Sequence, residues 1–380
     1  MKIQILTMMA ERPDVSRVWA MGITRFIKAA PAGIECAVHV AFSNHNTKKL
    51  CDEYGFSYSA HPNHPLGKKL NDGLKACLSK EWDYLLIMGD DDFISNAAWP
   101  HYMQCIEAGY PYFGFGDIYF YSPQAGRVRH YDYATTGAPH KLMGCGRMVH
   151  RTVVEQSGWQ AELKFRKHYK HGGVEYPEGV ALSLPAYIAS YLHQLGVAEL
   201  TNGQPYFEFW NPSLQRGLDN DSEIRLLFNG HHPYRIRTDK PMMLDMKAEN
   251  NLWSFAHFIG ISKEAPADSA VEILSADELA AIAELWPTTG KTDLEEYTFQ
   301  IGIRTAQQIF NDEVEKIARD KFAVQANPVF FQISDCTILN FSDHPTYLEI
   351  YWKHKTAHSK KLCGIYHEEI NGTLKIYVKD

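Results

Sequence analysis

A chain of 380 residues with 45% hydrophobic side chains can bury a large core, and its length suits one large domain plus a smaller one. With 38 Lys and Arg against 45 Asp and Glu, its formal net charge is −7, which excludes an overall positive field drawing the whole protein to nucleic acid or anionic lipid. Seven scattered cysteines with no C-x-x-C pair exclude a zinc-finger framework and read as reduced thiols.

The opening MKIQILTMMAERPD meets Glu11, Arg12 and Asp14 before any apolar run is long enough for a secretory signal. The most membrane-like stretch, Val180 to Leu200, is broken by Pro185, His193 and Gln194 and reads as a buried helix. A cytoplasmic protein without stable membrane insertion is expected.

In chain order, KIQILTM predicts a strand, and Arg12-Pro13 leads into a helix whose Val15, Val18, Trp19, Ile23, Phe26 and Ile27 recur at helical spacing. ECAVHVAFS predicts a second strand, and NTKKLCDEYG a short helix closed by Gly55. A short strand, FSYSAH, precedes a third helix with Leu66, Leu70, Leu74, Cys77 and Leu78 on one face; Lys68 and Lys69 read there as solvated. The strand DYLLIM follows. Such alternation predicts an α/β fold, a mostly parallel sheet flanked by helices.

Beyond this the pattern changes. GYPYFGFGDIYFYS is rich in β-formers, KLMGCGRM is a glycine-bearing loop, and HRTVVEQS predicts a helix ending at Gly158. A loop carrying Glu175 and Glu178 leads into an expected helix, LSLPAYIASYLHQLG, closed at Gly196. Small and polar residues from Ser262 to Ala270 mark a boundary, giving domains 1–262 and 263–380, the second a smaller α+β unit of helices then strands. In it, Ser275 and Glu278 form a capping-box signature, a long helix is expected from about Asp293 to Phe322, and Asn371-Gly372 signals a hairpin.

The run DYLLIMGDDDFIS places Asp90, Asp91 and Asp92 directly after an apolar strand. Like charges this close repel unless a cation sits among them, so the alternatives are a solvated acidic turn and a divalent-metal site. In parallel sheets ligands collect beyond the carboxyl ends of the strands, where this triplet falls. A phosphatase that forms an aspartyl-phosphate would instead place its aspartates after the first strand, where LTMMAERPD stands.

Four features in order, LTMMAERPD after the first strand, NDGLKACLSKEWDYLLIMGDDDFIS, GCGRMVHRTVVEQSGW, and an acidic loop before a segment ending HQLG, resemble the nucleotide-sugar glycosyltransferases of the GT-A (Rossmann-like) fold, especially the inverting family 2. The resemblance covers roughly Met1 to Ile261. The family's usual Glu-Asp pair in the acidic loop is departed from here, because Gly179 follows Glu178.

That resemblance implies a metal-dependent enzyme moving a hexosyl-type sugar from a nucleoside-diphosphate sugar, UDP first, to a hydroxyl acceptor. It implies Asp90 on the nucleoside side, Asp92 on Mn²⁺ or Mg²⁺ with Asp90 as a further ligand, and Asp91 undecided between the two. Glu178 is implied as the general base, with Glu175 its alternative if the register shifts. Thr7 and Arg12 would border the nucleoside, the loop Gly144, Cys145 and Gly146 would pass the donor sugar, and Lys247 would reach the diphosphate. His231 or His232 would complete the metal site.

The acceptor is open among a glycan, a protein hydroxyl and a modified nucleic-acid base. The run WKHKTAHSKKL, with Lys353, Lys355, Lys360 and Lys361, could meet a polyanion or be a solvated loop. The aromatic run YFEFWNPS could stack on an acceptor. The competing reading is a non-catalytic nucleotide-sugar-binding module, and the C-terminal domain could serve acceptor binding or homo-oligomer formation.

Overall fold

The computed structural model describes residues 1–10, 12–136, 141–171, 174–201, 206–214, 218, 222–223, 226–227, 230–248, 255, 258, 262–288, 295–300, 336–341, 344–352, 360–370 and 373–379. It divides into two compact units. The first holds Met1–Ile118, Asp132–Leu244 and Glu272–Glu278, and the second Tyr119–Tyr131, Asp245–Val271 and Leu279–Asp380.

The chain opens with β1 (Lys2–Met9), α1 (Pro13–Lys28), β2 (Glu35–Phe42), α2 (His45–Tyr54), β3 (Ser57–Ala60), α3 (Leu66–Leu78) and β4 (Tyr84–Gly89), the alternation that the hydrophobic periods predict. There follow β5 (Asp92–Ile94), α4 (Ala98–Glu107), β6 (Tyr112–Phe115), β7 (Asp117–Ser122), β8 (Arg127–Asp132), β9 (Arg147–His150) and α5 (Arg151–Gly158). Next come β10 (Trp159–Phe165), β11 (Tyr169–His171), β12 (Val174–Tyr176), β13 (Ala181–Pro185), α6 (Ala186–Gln194), β14 (Ala198–Leu200), β15 (Tyr206–Phe207) and β16 (Tyr234–Ile236).

Seven strands of the first unit form one sheet in the order β16-β6-β9-β4-β1-β2-β3. β1 runs parallel to β2 and β4, β2 to β3, and β16 to β6; only β9 is antiparallel to its neighbours, β4 and β6. α1 buries Val15, Val18, Trp19, Ile23 and Phe26, as its period requires. α3 lies close to the sheet because Gly73 lacks a side chain: a Cβ there would stand 2.8 Å from the Cβ of Ala41.

The aromatic run after β14 is core. Phe207, Phe209 and Trp210 are buried with Leu70, Leu74 and Trp82, so the stacking platform expected of these residues gives way to packing. Asn71, itself buried on α3, holds the segment: its oxygen accepts from the backbone N–H of Phe209 (2.9 Å) and Trp210 (3.0 Å), and its amide donates to the Trp210 carbonyl (2.7 Å).

The expected helix from Leu182 begins four residues later than that. Ala181–Pro185 is instead β13, antiparallel to β10 with Ala161 opposite Leu184. Leu182 and Leu184 alternate with Ser183 and pack on the small apolar cluster of Leu163, Phe165 and Leu192, a period of two that the open edge of β10 rewards with backbone hydrogen bonds. α6 then takes over, and Gly196 beyond it adopts the left-handed φ of 68°.

The second unit includes β18 (Lys263–Ala265), antiparallel to β8, after β17 (Met243–Met246) has crossed from the first unit. Arg129 is buried in it, donating to Ser262 Oγ (2.9 Å) and Glu264 (2.9 Å). The capping box forms within the first unit: Glu278 N–H donates to Ser275 Oγ (3.2 Å) and Ser275 N–H to Glu278 Oε2 (3.0 Å), opening α7 (Ala276–Leu285).

The long helix expected from Asp293 is corrected at its start. Glu295–Gln300 is β19, where Tyr297 and Phe299 alternate with Glu296 and Thr298, and it pairs with a later strand; residues 301–335 lie outside the described residues. With β20 (Cys336–Phe341), β21 (His344–Trp352), β22 (Lys360–Ile370) and β23 (Thr373–Lys379) it makes an antiparallel sheet, order β19-β23-β22-β21-β20. Ile370 opposes Thr373, the pairing of the hairpin that Asn371-Gly372 signals, although those two residues lie outside the description. Lys353 and Lys355 lie outside it too, while Lys360 and Lys361 open β22. No helix among the described residues is long and apolar enough to cross a membrane.

Candidate active site

The chain builds β1, β2 and β3 outward on one side and then places β4 on the other side of β1. This reversal leaves a crevice at the carboxyl ends of β1 and β4, the place where open parallel sheets take ligands. Arg12 follows β1 there, and Asp90, Asp91 and Asp92 follow β4.

Arg12 is the cation that the triplet requires. Its guanidinium pairs with Asp90 Oδ1 and, at 3.0 Å, with Asp91 Oδ2. Ser16, one turn into α1, donates to Asp90 Oδ2 (3.2 Å). Burial pushes the Asp90 carboxyl up, Arg12 and Ser16 oppose that, and Asp91 adds to it by repulsion. For Arg12, burial favours losing the proton, but the two carboxylates outweigh it and hold the group charged. The solvated acidic turn is thus excluded for Asp90, which is 4% exposed.

Asp91 and Asp92 are more open. Asp92 Oδ2 accepts from the Gly89 N–H at 2.6 Å. Asp91 and Asp92 each offer a carboxylate oxygen within 4.8 Å of the other's, near enough to share an ion. The two carboxylates fold back over Gly89, where a Cβ would stand 2.7 Å from Asp92 Oδ2 and 2.8 Å from Asp91 Oδ1. A hard oxygen donor set in a cradle that only glycine leaves open fits Mg²⁺ or Mn²⁺.

The glycine loop lies at the same end of the sheet. Gly146 N–H donates to the Ile87 carbonyl (2.8 Å), and Tyr102 Oη donates to the Gly146 carbonyl (2.6 Å). Gly146 has φ 71°, and a Cβ would meet Met243 Cε at 2.7 Å, so a side chain there would be strained. Cys145 is buried and Gly144 half-buried. Arg147 fixes the loop from behind, donating to the carbonyls of Met143 (2.6 Å) and Leu142 (3.1 Å), and lies 3.6 Å from the buried carboxylate of Glu223.

The other expected residues are placed less closely. Thr7 is fully buried within β1, and its Oγ1 has no hydrogen-bond partner. Neither His231 nor His232 forms a three-ligand group with Asp91 and Asp92 among the described residues. Glu178 is exposed on the turn Pro177–Val180, and its side chain makes no hydrogen bond or ion pair among the described residues. Glu175, on β12, is bound by Lys170 (2.9 Å) and lies 3.7 Å from His168. Lys247 belongs to the second unit, where it pairs with Asp245 (2.5 Å) and lies over the rings of Phe120 and Phe258.

Lys69 corrects the sequence reading. Lys68 is exposed and pairs with Asp72, but Lys69 is 1% exposed, and its ammonium donates to the Met9 carbonyl (2.6 Å) and Asn63 Oδ1 (3.1 Å). Burial lowers its pKa to about 8; Asp90 opposes the shift and Arg12 adds to it. Its position gave the signal, since it stands three residues after Leu66 and four before Gly73 on the face that α3 turns to the sheet.

No protein-family model matches the chain, and no curated protein matches it in sequence. Among solved structures it is similar to S. aureus TarS (residues 1–349) in complex with UDP-GlcNAc, at 12% identity over 75% of this chain and 71% of that one, TM-score 0.35. It is also similar to a CMP:2-keto-3-deoxy-manno-octonic acid synthetase complexed with CTP (12%, 64% and 92%, TM-score 0.29). A third is glucosyl-3-phosphoglycerate synthase from Mycobacterium tuberculosis in complex with Mn²⁺, UDP and glucosyl-3-phosphoglycerate (10%, 41% and 58%, TM-score 0.26). These neighbours are of the GT-A type that the sequence resembles, and at such TM-scores the likeness is too loose to bear on mechanism.

Proposed function

We propose that this chain is a nucleotide-sugar glycosyltransferase that moves a sugar, of hexosyl type, from a nucleoside-diphosphate sugar to a hydroxyl acceptor with inversion. One observation carries the reading: the Arg12–Asp90–Asp91 ion-pair cluster, with Asp92 beside it, stands at the point where the strand order of a parallel sheet reverses. UDP is the first nucleotide to test.

Asp91 and Asp92 are the residues that would hold Mn²⁺ or Mg²⁺, with His231 or His232 as a further ligand. Bound there, the ion would neutralise the charge of the departing diphosphate. Arg12 fixes Asp90 against α1, so that the triplet meets the ligand already ordered. The backbone at Gly144 and Gly146 admits the donor sugar closely. Lys247 would reach the diphosphate only by leaving Asp245.

Glu178 is the better candidate for the base. Among the described residues no cation pairs with its carboxylate, whereas Lys170 and His168 both attend Glu175. The acceptor is a glycan, a protein hydroxyl or a modified nucleic-acid base, and the second unit serves its binding or self-association. Of the seven cysteines, those at positions 36, 51, 77, 105 and 145 are free thiols among the described residues, in keeping with a reducing, cytoplasmic setting.

The test is incubation with UDP-, GDP-, CDP- and ADP-sugars with Mn²⁺ or Mg²⁺, following release of the nucleoside diphosphate. Slow metal-dependent hydrolysis of one donor supports the reading. Binding without any turnover, in the presence of candidate acceptors, would favour the non-catalytic module, and absence of both would end the proposal.

A further inference from the structure

We infer that the cavity at the carboxyl ends of β6 and β16 binds a phosphoryl group carried by the acceptor, through Arg237, Lys240 and His101. The inference rests on the nucleotide-sugar reading above and deepens it, since that reading leaves the chemistry of the acceptor open.

The cavity has a volume of about 590 Å³ and lies wholly within the first unit, between the loop after β16 and the start of α4. β4, β6 and β16 run in one direction, because β9 is antiparallel to both β4 and β6, and β16 is parallel to β6. α4 crosses back from β4 to β6, so its first turn and the loop after β16 stand at the same end of the sheet as the acidic triplet. The Ser95 N–H ties these two walls together by donating to the Met242 carbonyl (2.9 Å). β5 carries the chain from Asp92 to Ser95, a span of roughly 10 Å. In the sheet order β4 stands between β1 and the strands of the cavity, so the cavity flanks the triplet on the side away from β1. A donor held between β1 and β4 leaves that side to the acceptor.

Ala97, Pro100 and Met242 supply apolar wall, and the charges stand among them. Arg237 and Lys240 are exposed, and among the described residues neither side chain makes an ion pair or a hydrogen bond. Thr238 Oγ1 accepts from the Lys240 N–H (3.1 Å), which closes the turn that carries both cations. His101 is half-buried, its ring edge-on to Phe115, and it offers a ring N–H. Asp239 is the one acid of the lining, so two cations against one carboxylate leave a surplus of one positive charge. Side chains alone recognise the ligand, because the amides that open α4 are already used. Ala97 N–H donates to Ser95 Oγ (3.2 Å), Ala98 N–H to the Ser95 carbonyl (3.0 Å) and Trp99 N–H to the Asn96 carbonyl (3.2 Å), and Pro100 has none. Exposed cations are ordinary on a loop; here they border a cavity and lack a counter-ion from the described residues. A guanidinium fork beside an ammonium suits the several oxygens of a phosphoryl group. A sugar phosphate and a nucleic-acid strand both present that group.

The test follows the ring signal of His101 by NMR of histidine-labelled protein, assigned with His101→Gln, during titration with inorganic phosphate at fixed pH. EDTA keeps metal from Asp91 and Asp92, and chloride at matched ionic strength is the control. Phosphate should shift the signal to saturation and chloride should not. Arg237→Gln/Lys240→Gln should weaken the phosphate response at least ~10-fold. Ala97→Glu should do the same with both cations in place, since it adds a carboxylate to the cavity wall at a helix start, where an acid suits the dipole. Without EDTA, UDP with Mg²⁺ should leave the phosphate response standing. Glucose 6-phosphate and a five-residue thymidylate then separate the sources: whichever binds at least ~10-fold tighter than phosphate identifies the acceptor's carrier of the group. A shift that chloride reproduces, or a response unchanged in both variants, overturns the inference, and displacement by UDP would move the cavity to the donor and overturn it too. A chain that binds phosphate at His101 but no UDP overturns the nucleotide-sugar reading and leaves the phosphate site standing.

Discussion

Arg12 and Asp90 stand 78 residues apart in sequence and form an ion pair in which both side chains are largely buried, 15% and 5% exposed. The pair ties the loop after β1 to the loop after β4, the two strands that flank the reversal in the sheet. Arg12 reaches Asp91 as well, so one cation serves two of the three successive aspartates.

Removing one partner of such a pair leaves the other charge buried alone. Arg12→Met should therefore lower stability by about 3–5 kcal/mol, read by urea unfolding. The double variant Arg12→Met/Asp90→Asn should recover much of that loss. A loss under about 1 kcal/mol in the single variant would mean that the pair is solvated.

Gly89→Ala should separate ligand binding from folding. The added Cβ meets only the ends of Asp91 and Asp92, and the backbone there needs no special conformation, so the melting temperature should stay within a few degrees. Mn²⁺ affinity, read by calorimetry or paramagnetic relaxation, should fall at least ~10-fold as the carboxylates swing away. Unchanged affinity would dissociate these two residues from the ion.

His39 should make stability depend on pH. Burial lowers its pKa from 6.5 to about 4, with Lys80 and His61 adding to the shift. Its ring is held between Ser57 (3.1 Å) and Ser59 (2.9 Å). Between these values the unfolded chain takes up a proton that the folded one refuses, so stability is full above pH 6.5 and falls as pH drops towards 4. The contribution is of order 2–3 kcal/mol over that window. Denaturation midpoints at pH 7 and pH 5 should differ less in His39→Gln than in wild type, and equal differences would remove His39 from the account.

Glu178→Gln should leave nucleotide affinity nearly unchanged while sugar transfer falls by ~10² or more. Wild-type activity in Glu178→Gln together with a collapse in Glu175→Gln would move the base to Glu175. Full activity in both variants would withdraw the inverting mechanism.

How much of this was legible in the sequence depended on whether a signal was local. The α/β alternation was, because each strand and helix carries its own period, and the triplet was, because carboxylates after an apolar run are conspicuous. Arg12 could be placed near a nucleoside but not on Asp90, since the sheet order that brings them together is a long-range fact. Residues 182–185 read as helix because two leucines around a serine suit either period, and the edge of β10 decided the matter. Lys69 read as a solvated helix residue; its place on the sheet-facing side of α3 held the signal, but its bond to the Met9 carbonyl is one that only the fold brings about.

Calorimetric titration of the chain with UDP, with and without Mn²⁺, and again with Asp92→Asn, tests the central claim most directly. The account predicts binding that strengthens at least ~10-fold with Mn²⁺, is abolished to the metal-free level by EDTA, and is insensitive to Mn²⁺ in Asp92→Asn. Tight UDP binding that ignores both EDTA and the substitution would contradict it.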